Sequence, residues 1–167
     1  SNIDDQLAAV NFKQLQAWAS QQSWQHYEIS NLCKADNFAI HNTAYWQGAS
    51  YLGIGPAAHS FNGVSRQWNV ANLKKYIEAW ESQSPSFTKE TLSEKDQYHE
   101  YLLTGIRTMW GINKQDLANR FPDFYPNFEK QLMEINPSWI KNLDHQLVLS
   151  DEGMFYADGI ASHLFID

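Results

Sequence analysis

Cysteine is nearly absent: Cys33 stands alone among 167 residues. One thiol cannot close a disulfide within the chain, nor supply the several thiolates of a structural zinc or iron–sulfur site. A single unpaired cysteine fits a reducing compartment, so a cytoplasmic location is expected. Long apolar runs are missing too; none approaches the roughly 18 residues that a membrane-spanning helix needs. Positive charge is scarce, with 12 Lys and Arg against 19 Asp and Glu and a formal net charge of −7. The longest basic run, Lys74-Lys75, is too short to track a phosphate backbone or an anionic membrane surface. Nucleic acid is therefore not an expected partner. The opening Ser1-Asn2-Ile3-Asp4-Asp5 has neither the basic nor the apolar region of a signal peptide. No Met opens the chain, which is expected to be a piece of a longer protein. No internal repeat or low-complexity tract is present.

Aromatic residues, by contrast, are abundant, at 14% with seven Trp. So many in a short chain imply a dense aromatic core or a surface that a partner covers. A length of 167 residues suits one domain, or one small domain with part of another.

The hydrophobic pattern supplies the elements. Leu7, Val10, Leu15, Trp18 and Ala19 form a helical stripe within 4–22. Residues 26–30 read as a short strand, so that helix and strand together resemble the end of a parallel α/β unit. Residues 31–49 show no period and read as a long loop. Residues 50–54 read as a strand ending in glycines, and 57–62 with 65–69 as a hairpin turned at Asn62-Gly63. Residues 70–81 make a helix, and 82–86 a polar linker. Ser93-Glu94-Lys95-Asp96 resembles a capping box opening a helix with Tyr98, Tyr101, Leu102, Gly105, Ile106 and Met109 on one face. Short helices follow at 113–120 and 125–135. Leu143 and Leu147-Val148-Leu149 flank Asp144-His145 as a small hairpin, and Ser150 caps a final helix. The second half thus resembles a winged helix.

Two segments carry chemistry. In Gly53-Ile54-Gly55-Pro56-Ala57-Ala58 the glycines superficially match a dinucleotide fingerprint, but 58–63 does not continue as the helix that would meet a pyrophosphate. A glycine-rich strand end lining a pocket is the better reading. His41-Asn42-Thr43-Ala44-Tyr45-Trp46 crowds an imidazole, an amide and two flat rings together. Neutral imidazole ligates iron, and aromatic rings pack on a macrocycle. The alternative is a segment pinned by its own hydrogen bonds. His59, after the glycines, is a second candidate, while His26, His99, His145 and His163 lack companions at ligand spacing.

The order of these segments resembles a known family. His26-Tyr27-Glu28-Ile29-Ser30-Asn31, His41-Asn42-Thr43-Ala44-Tyr45-Trp46 and Tyr51-Leu52-Gly53-Ile54-Gly55-Pro56-Ala57-Ala58-His59-Ser60 are similar to radical-SAM proteins of the HemW and oxygen-independent coproporphyrinogen III oxidase group. Arg66-Gln67-Trp68-Asn69, Tyr76, Leu102–Arg107 and Leu147–Gly153 also fit. The resemblance implies an α+β, mainly helical fold. Residues 1–69 would be the tail of a radical-SAM partial (β/α) barrel with a linker hairpin, and 70–167 a helical C-terminal domain with a small winged-helix-like hairpin. It implies S-adenosylmethionine and a [4Fe–4S] cluster in the full-length protein, whose cluster cysteines are missing here, so that the chain alone is not expected to be catalytic. It further implies a haem chaperone that delivers haem to a client protein. His41 would be the haem ligand, with Asn42, Tyr45 and Trp46 around it. Gly53, Ile54, Gly55 and His59 would border the S-adenosylmethionine pocket. A coproporphyrinogen III oxidase of porphyrin biosynthesis, or a winged-helix protein-interaction module, are the alternative functions. Two departures stand out. Ala57 replaces a usual glycine, which disfavours positive φ there, and Cys33 replaces a small apolar residue. A barrel tail without its barrel is expected to expose strand edges and apolar surface, and to associate with itself or with its missing half.

Overall fold

Helix α1 (Asp5–Gln21) leads into a β-hairpin, β1 (Trp24–Glu28) and β2 (Asn31–Lys34), in a computed structural model that describes residues 5–142 and 144–166. Position 4 of the first expected helix and Leu143 of the expected hairpin lie outside those residues. Of the apolar stripe read from the sequence, Leu7, Val10, Leu15 and Trp18 are exposed and Ala19 docks. The inward face is built on Phe12, whose ring meets His26 and Phe155 at 5.7 Å, and on buried Ala19. Gln16 adds a hydrogen bond from Nε2 to the Asp151 carbonyl. Strand β1 pairs antiparallel with β2, rather than with a parallel neighbour. Its end is fastened elsewhere: Met109 N donates to the Tyr27 carbonyl and Ile29 N to the Arg107 carbonyl.

The expected loop 31–49 contains β2 and helix α2 (Ile40–Trp46). Helix α2 is seven residues long and buries none of them fully, so it leaves no apolar period to find. The expected strand at 50–54 is irregular, bridging the sheet through its backbone at Tyr51 and Phe61. Gly55 has φ +112° and Pro56 follows it, and neither continues a ladder.

Strands β3 (His59–Phe61) and β4 (Ser65–Asn69) form the expected hairpin, and β5 (Phe87–Thr91) adds a third antiparallel strand beside β4. Asn62 Oδ1 accepts from Val64 N, Ser65 N and Ser65 Oγ, while Gly63 takes φ +94°. That combination is the chemistry the Asn-Gly dipeptide brings to a tight turn. Helix α3 (Leu73–Glu81) is capped by Asn72. Strand β5 has no buried residue and no alternation, and was not expected.

Helix α4 (Glu94–Ile106) begins with the expected capping box, in which the Ser93 and Asp96 side chains satisfy each other's backbone amides. The helices α5 (Lys114–Arg120) and α6 (Tyr125–Leu132) follow. A small sheet has β6 (Ile112–Asn113) and β7 (Ile140–Asn142) on either side of β8 (Gln146–Leu149). The expected final helix divides at Tyr156 into α7 (Asp151–Phe155), capped by Ser150, and α8 (Ala157–His163). This is the helical region with its winged-helix-like hairpin. Its core joins Tyr98, Leu102, Ile106, Leu117, Phe128, Leu147, Ile160 and Leu164, each such side chain contributing about 1.5–3 kcal/mol by leaving water. No closed barrel forms among the described residues. No helix among them is long and apolar enough to cross a membrane.

Candidate functional site

Helix α2 sorts its residues onto two faces. Positions four apart stack on one side of a helix. His41 and Tyr45 therefore share one face, and Asn42 and Trp46 another. The second pair is tied inward. Trp46 Nε1 donates to Asn42 Oδ1 at 3.1 Å, and Asn42 Nδ2 donates to Tyr27 Oη at 3.3 Å. Tyr27 is itself buried between Phe38 and Trp110, at ring separations of 5.3 and 6.2 Å. The first pair looks out: His41 is exposed and Tyr45 is 40% exposed. The His41 imidazole has no hydrogen-bond partner among the described residues, so both ring nitrogens are available. The reading of a segment pinned by its own hydrogen bonds fits Asn42 and Trp46. These two pin the helix, and His41 and Tyr45 face outward.

Beneath α2 lies a group that the sequence did not single out as a unit. Glu28 is 1% exposed. Its Oε2 accepts from Asn31 Nδ2 and from Ser30 N, and its Oε1 faces the Arg107 guanidinium at 4.0 Å. Arg107 also pairs with Asp158 on α8 and lies over the Trp46 ring, 5.3 Å from its centroid. A buried carboxylate demands a counter-charge. Glu28 on a strand was the available signal that a cation from elsewhere must reach it, although nothing local points to Arg107.

A cavity of about 330 Å³ opens beside α2. Tyr45 and Trp46 line one side, Tyr51 and Phe61 continue it, and the Arg66–Glu100 ion pair crosses it. Tyr51, whose ring lies 6.0 Å from Tyr45, has its phenol pKa raised chiefly by burial. Arg120 stands over the Tyr101 ring at the far wall. His41 is not among the residues that line this cavity.

The glycine segment is held by side chains. Gly53 N donates to Ser60 Oγ, Gly55 N donates to Tyr76 Oη, and the buried Asn69 amide donates to both glycine carbonyls. A Cβ on Gly53 would fall 2.1 Å from the His59 carbonyl oxygen, so only glycine fits that approach. Ile54 is left 83% exposed. His59 is exposed and stacks on its cross-strand partner Trp68. Ala57 adopts φ +58°, contrary to the expectation that alanine disfavours that conformation. The turn is enforced from outside by Ala57 N donating to the Val70 carbonyl and Asn69 N to the Ala58 carbonyl. Asn69 and Tyr76 hold the two glycines, a role the sequence did not assign to them.

Cys33 is buried, and burial followed by the Asp36 charge pushes its thiol pKa up. It stays protonated, whereas a metal ligand must be thiolate. Among the described residues no group of three or more His, Cys, Asp or Glu could hold a metal ion. Cys33 alone cannot supply the thiolates of a multi-cysteine cluster, while a single exposed imidazole is chemically able to ligate a haem iron. Ile40, next to His41 in the chain, is 87% exposed, an apolar neighbour compatible with a flat apolar ring.

No protein-family model matches the chain. The chain is 30% identical over 132 residues to the heme chaperone HemW of Bacillus subtilis, covering 76% of this chain and 34% of that protein. The heme chaperone HemW of Mycobacterium tuberculosis is 37% identical over 75 residues, covering 45% of this chain and 19% of its own. The mitochondrial radical S-adenosyl methionine domain-containing protein 1 of Bos taurus is 28% identical over 177 residues, covering 94% of this chain and 39% of the relative. The chain therefore spans between 19% and 39% of these curated relatives. In three dimensions it resembles coproporphyrinogen III oxidase (HemN) of Escherichia coli, described as a radical SAM enzyme. The TM-score is 0.68 at 16% identity, over 91% of this chain and 39% of that one, a likeness of fold.

Proposed function

The chain belongs to the HemW-like family of radical-SAM proteins, and from that premise we propose that it carries the haem-presenting part of a haem chaperone. Its role is to hold haem through His41 and yield it to a client protein. The observation that carries this reading is the division of α2. His41 and Tyr45 face outward with the imidazole unclaimed, while Asn42 and Trp46 fix the helix from behind. An iron ligand must be rigidly aimed, and its supporting shell does the aiming. His41 would donate a ring-nitrogen lone pair, Tyr45 shares its side of the helix, and Ile40 offers apolar cover. Bound there, haem supplies the iron that accepts this lone pair.

Gly53, Ile54, Gly55 and His59 belong to the same proposal as one border of an S-adenosylmethionine pocket. Ile54 presents the open side chain, and Asn69 and Tyr76 hold the two glycines. The [4Fe–4S] cluster is assigned to the part of the full-length protein outside this chain. The division near residues 69 and 70 is likewise proposed, with the buried core drawn from residues 98–164. A lone reduced cysteine supports a cytoplasmic setting.

A haem titration of the full-length protein, followed at the Soret band, tests the proposal. Wild type is expected to bind haem one to one. His41→Ala is expected to lose binding or shift the band, while Tyr45→Phe keeps it. Equal binding by wild type and His41→Ala would reject His41 as ligand. Formation of protoporphyrinogen from coproporphyrinogen III under anaerobic conditions would instead favour the oxidase.

A further inference from the structure

We infer that Arg107 is the positioning residue that sets the orientation of α2 and so the aim of His41, an inference that rests on the haem reading above. Arg107 lies at the end of α4, far in sequence from the His41 segment, yet its contacts close a circuit back to it. The guanidinium lies over Trp46. Trp46 bonds Asn42, and Asn42 bonds Tyr27. The Tyr27 carbonyl accepts from Met109 N, two residues from Arg107, whose own carbonyl accepts from Ile29 N. The helix buries no residue fully, so its own packing does little to hold it. A planar cation over an indole provides an attraction that also fixes the ring's plane.

The charges around Arg107 explain why the guanidinium stays put. Glu28 faces it from β1 and Asp158 from α8. Its Nε is buried without an acceptor, which places the group for its face contact and its two terminal nitrogens rather than for full hydrogen bonding. Lysine would keep the charge opposite Glu28 but lose the flat face.

The test uses the full-length protein with Arg107→Lys. A second variant, Arg107→Gln with Glu28→Gln, removes the buried carboxylate's need for a cation should the first fail to fold. Amide hydrogen exchange is measured without haem, and haem affinity and Soret position with it. The Thr43 and Gln47 amides, which bond the Ala39 and Thr43 carbonyls, are expected to exchange roughly five- to tenfold faster in either variant. Core amides of α4 and α8 should stay unchanged, haem should dissociate faster, and the Soret band should shift. Asp158→Asn, which leaves the Trp46 contact in place, should change α2 exchange less than twofold. Unchanged exchange at Thr43 and Gln47 in the folded variants would overturn the inference. So would haem affinity that falls only in step with global stability. If His41→Ala binds haem like wild type, the haem reading fails while the exchange result still decides whether Arg107 holds α2.

Discussion

Replacing Ala57 by glycine should stabilise the protein, although the substitution adds no contact and removes a methyl group. Ala57 has φ +58°, a conformation that costs an L-residue about 1–2 kcal/mol because Cβ crowds the following carbonyl. Glycine escapes that cost, but its freer unfolded chain takes back about 0.4–1 kcal/mol. The side chain is exposed, so no packing is lost. The hydrogen bonds that fix the turn, from Ala57 N to Val70 and from Asn69 N to Ala58, involve backbone alone and survive. The net gain is about 0.5–1 kcal/mol. In urea, at roughly 2 kcal/mol per molar, this moves the midpoint up by about 0.2–0.5 M with an unchanged slope. Ala57→Val should lower the midpoint by more than that, because a branched side chain tolerates positive φ still less. An Ala57→Gly midpoint at or below wild type would refute the reasoning, showing that the turn in solution does not force the left-handed conformation.

The opposite exchange at Gly53 should be severe. Gly53→Ala sets a Cβ against the His59 backbone, which no side-chain rotation relieves, and thermal unfolding should fall well below that of Gly159→Ala, whose site is open and whose φ is ordinary. His99 should give a pH signature. Its Nε2 accepts from Ile166 N, and its ring stacks on Phe165 at 4.1 Å. Burial first, then the Lys95 charge, hold its pKa below the usual 6.5. A lowered folded-state pKa gives stability that is present above 6.5 and lost as pH falls through the folded value. NMR titration of the His99 ring, read beside Ile166 amide exchange, checks this; titration at or above 6.5 would contradict it.

The elements that sequence reasoning recovered share one property: a local signal that tertiary contacts only reinforced. The Ser93 capping box, the Asn62-Gly63 turn and the buried stripe of Tyr98, Leu102 and Ile106 are of this kind. Where it failed, long-range contacts decide. Strand β5 is wholly exposed and exists because β4 pairs with it. Helix α2 is held by Asn42 and Trp46, through partners at Tyr27 and Arg107 rather than through an apolar face. The stripe on α1 misled because Leu7, Val10, Leu15 and Trp18 face solvent, while its Ala19 docks together with Phe12 from outside the stripe. The site was legible as a set of residue types and as a family resemblance. Its two-faced geometry was not, because it depends on 40–46 being helical and on Asn42 reaching Tyr27, and neither was the contact of Trp46 with Arg107, more than 60 positions away. Ala57 fails as an argument from propensity, since a preference of about 1–2 kcal/mol yields to a turn fixed by several hydrogen bonds.

The uneven distribution of the core sets an order of opening. Nearly all the deeply packed side chains lie between Tyr98 and Leu164, whereas Ala19, Tyr27, Cys33 and Leu92 are the buried hydrophobic residues among those described before them. Local unfolding free energy follows the density of buried contacts. The helical region therefore acts as the slow, cooperative unit, and α2 with the glycine segment as the fast one, opening and reclosing while the rest remains native. Were a ligand held by α2, its release would follow a small local event rather than the unfolding of the whole molecule.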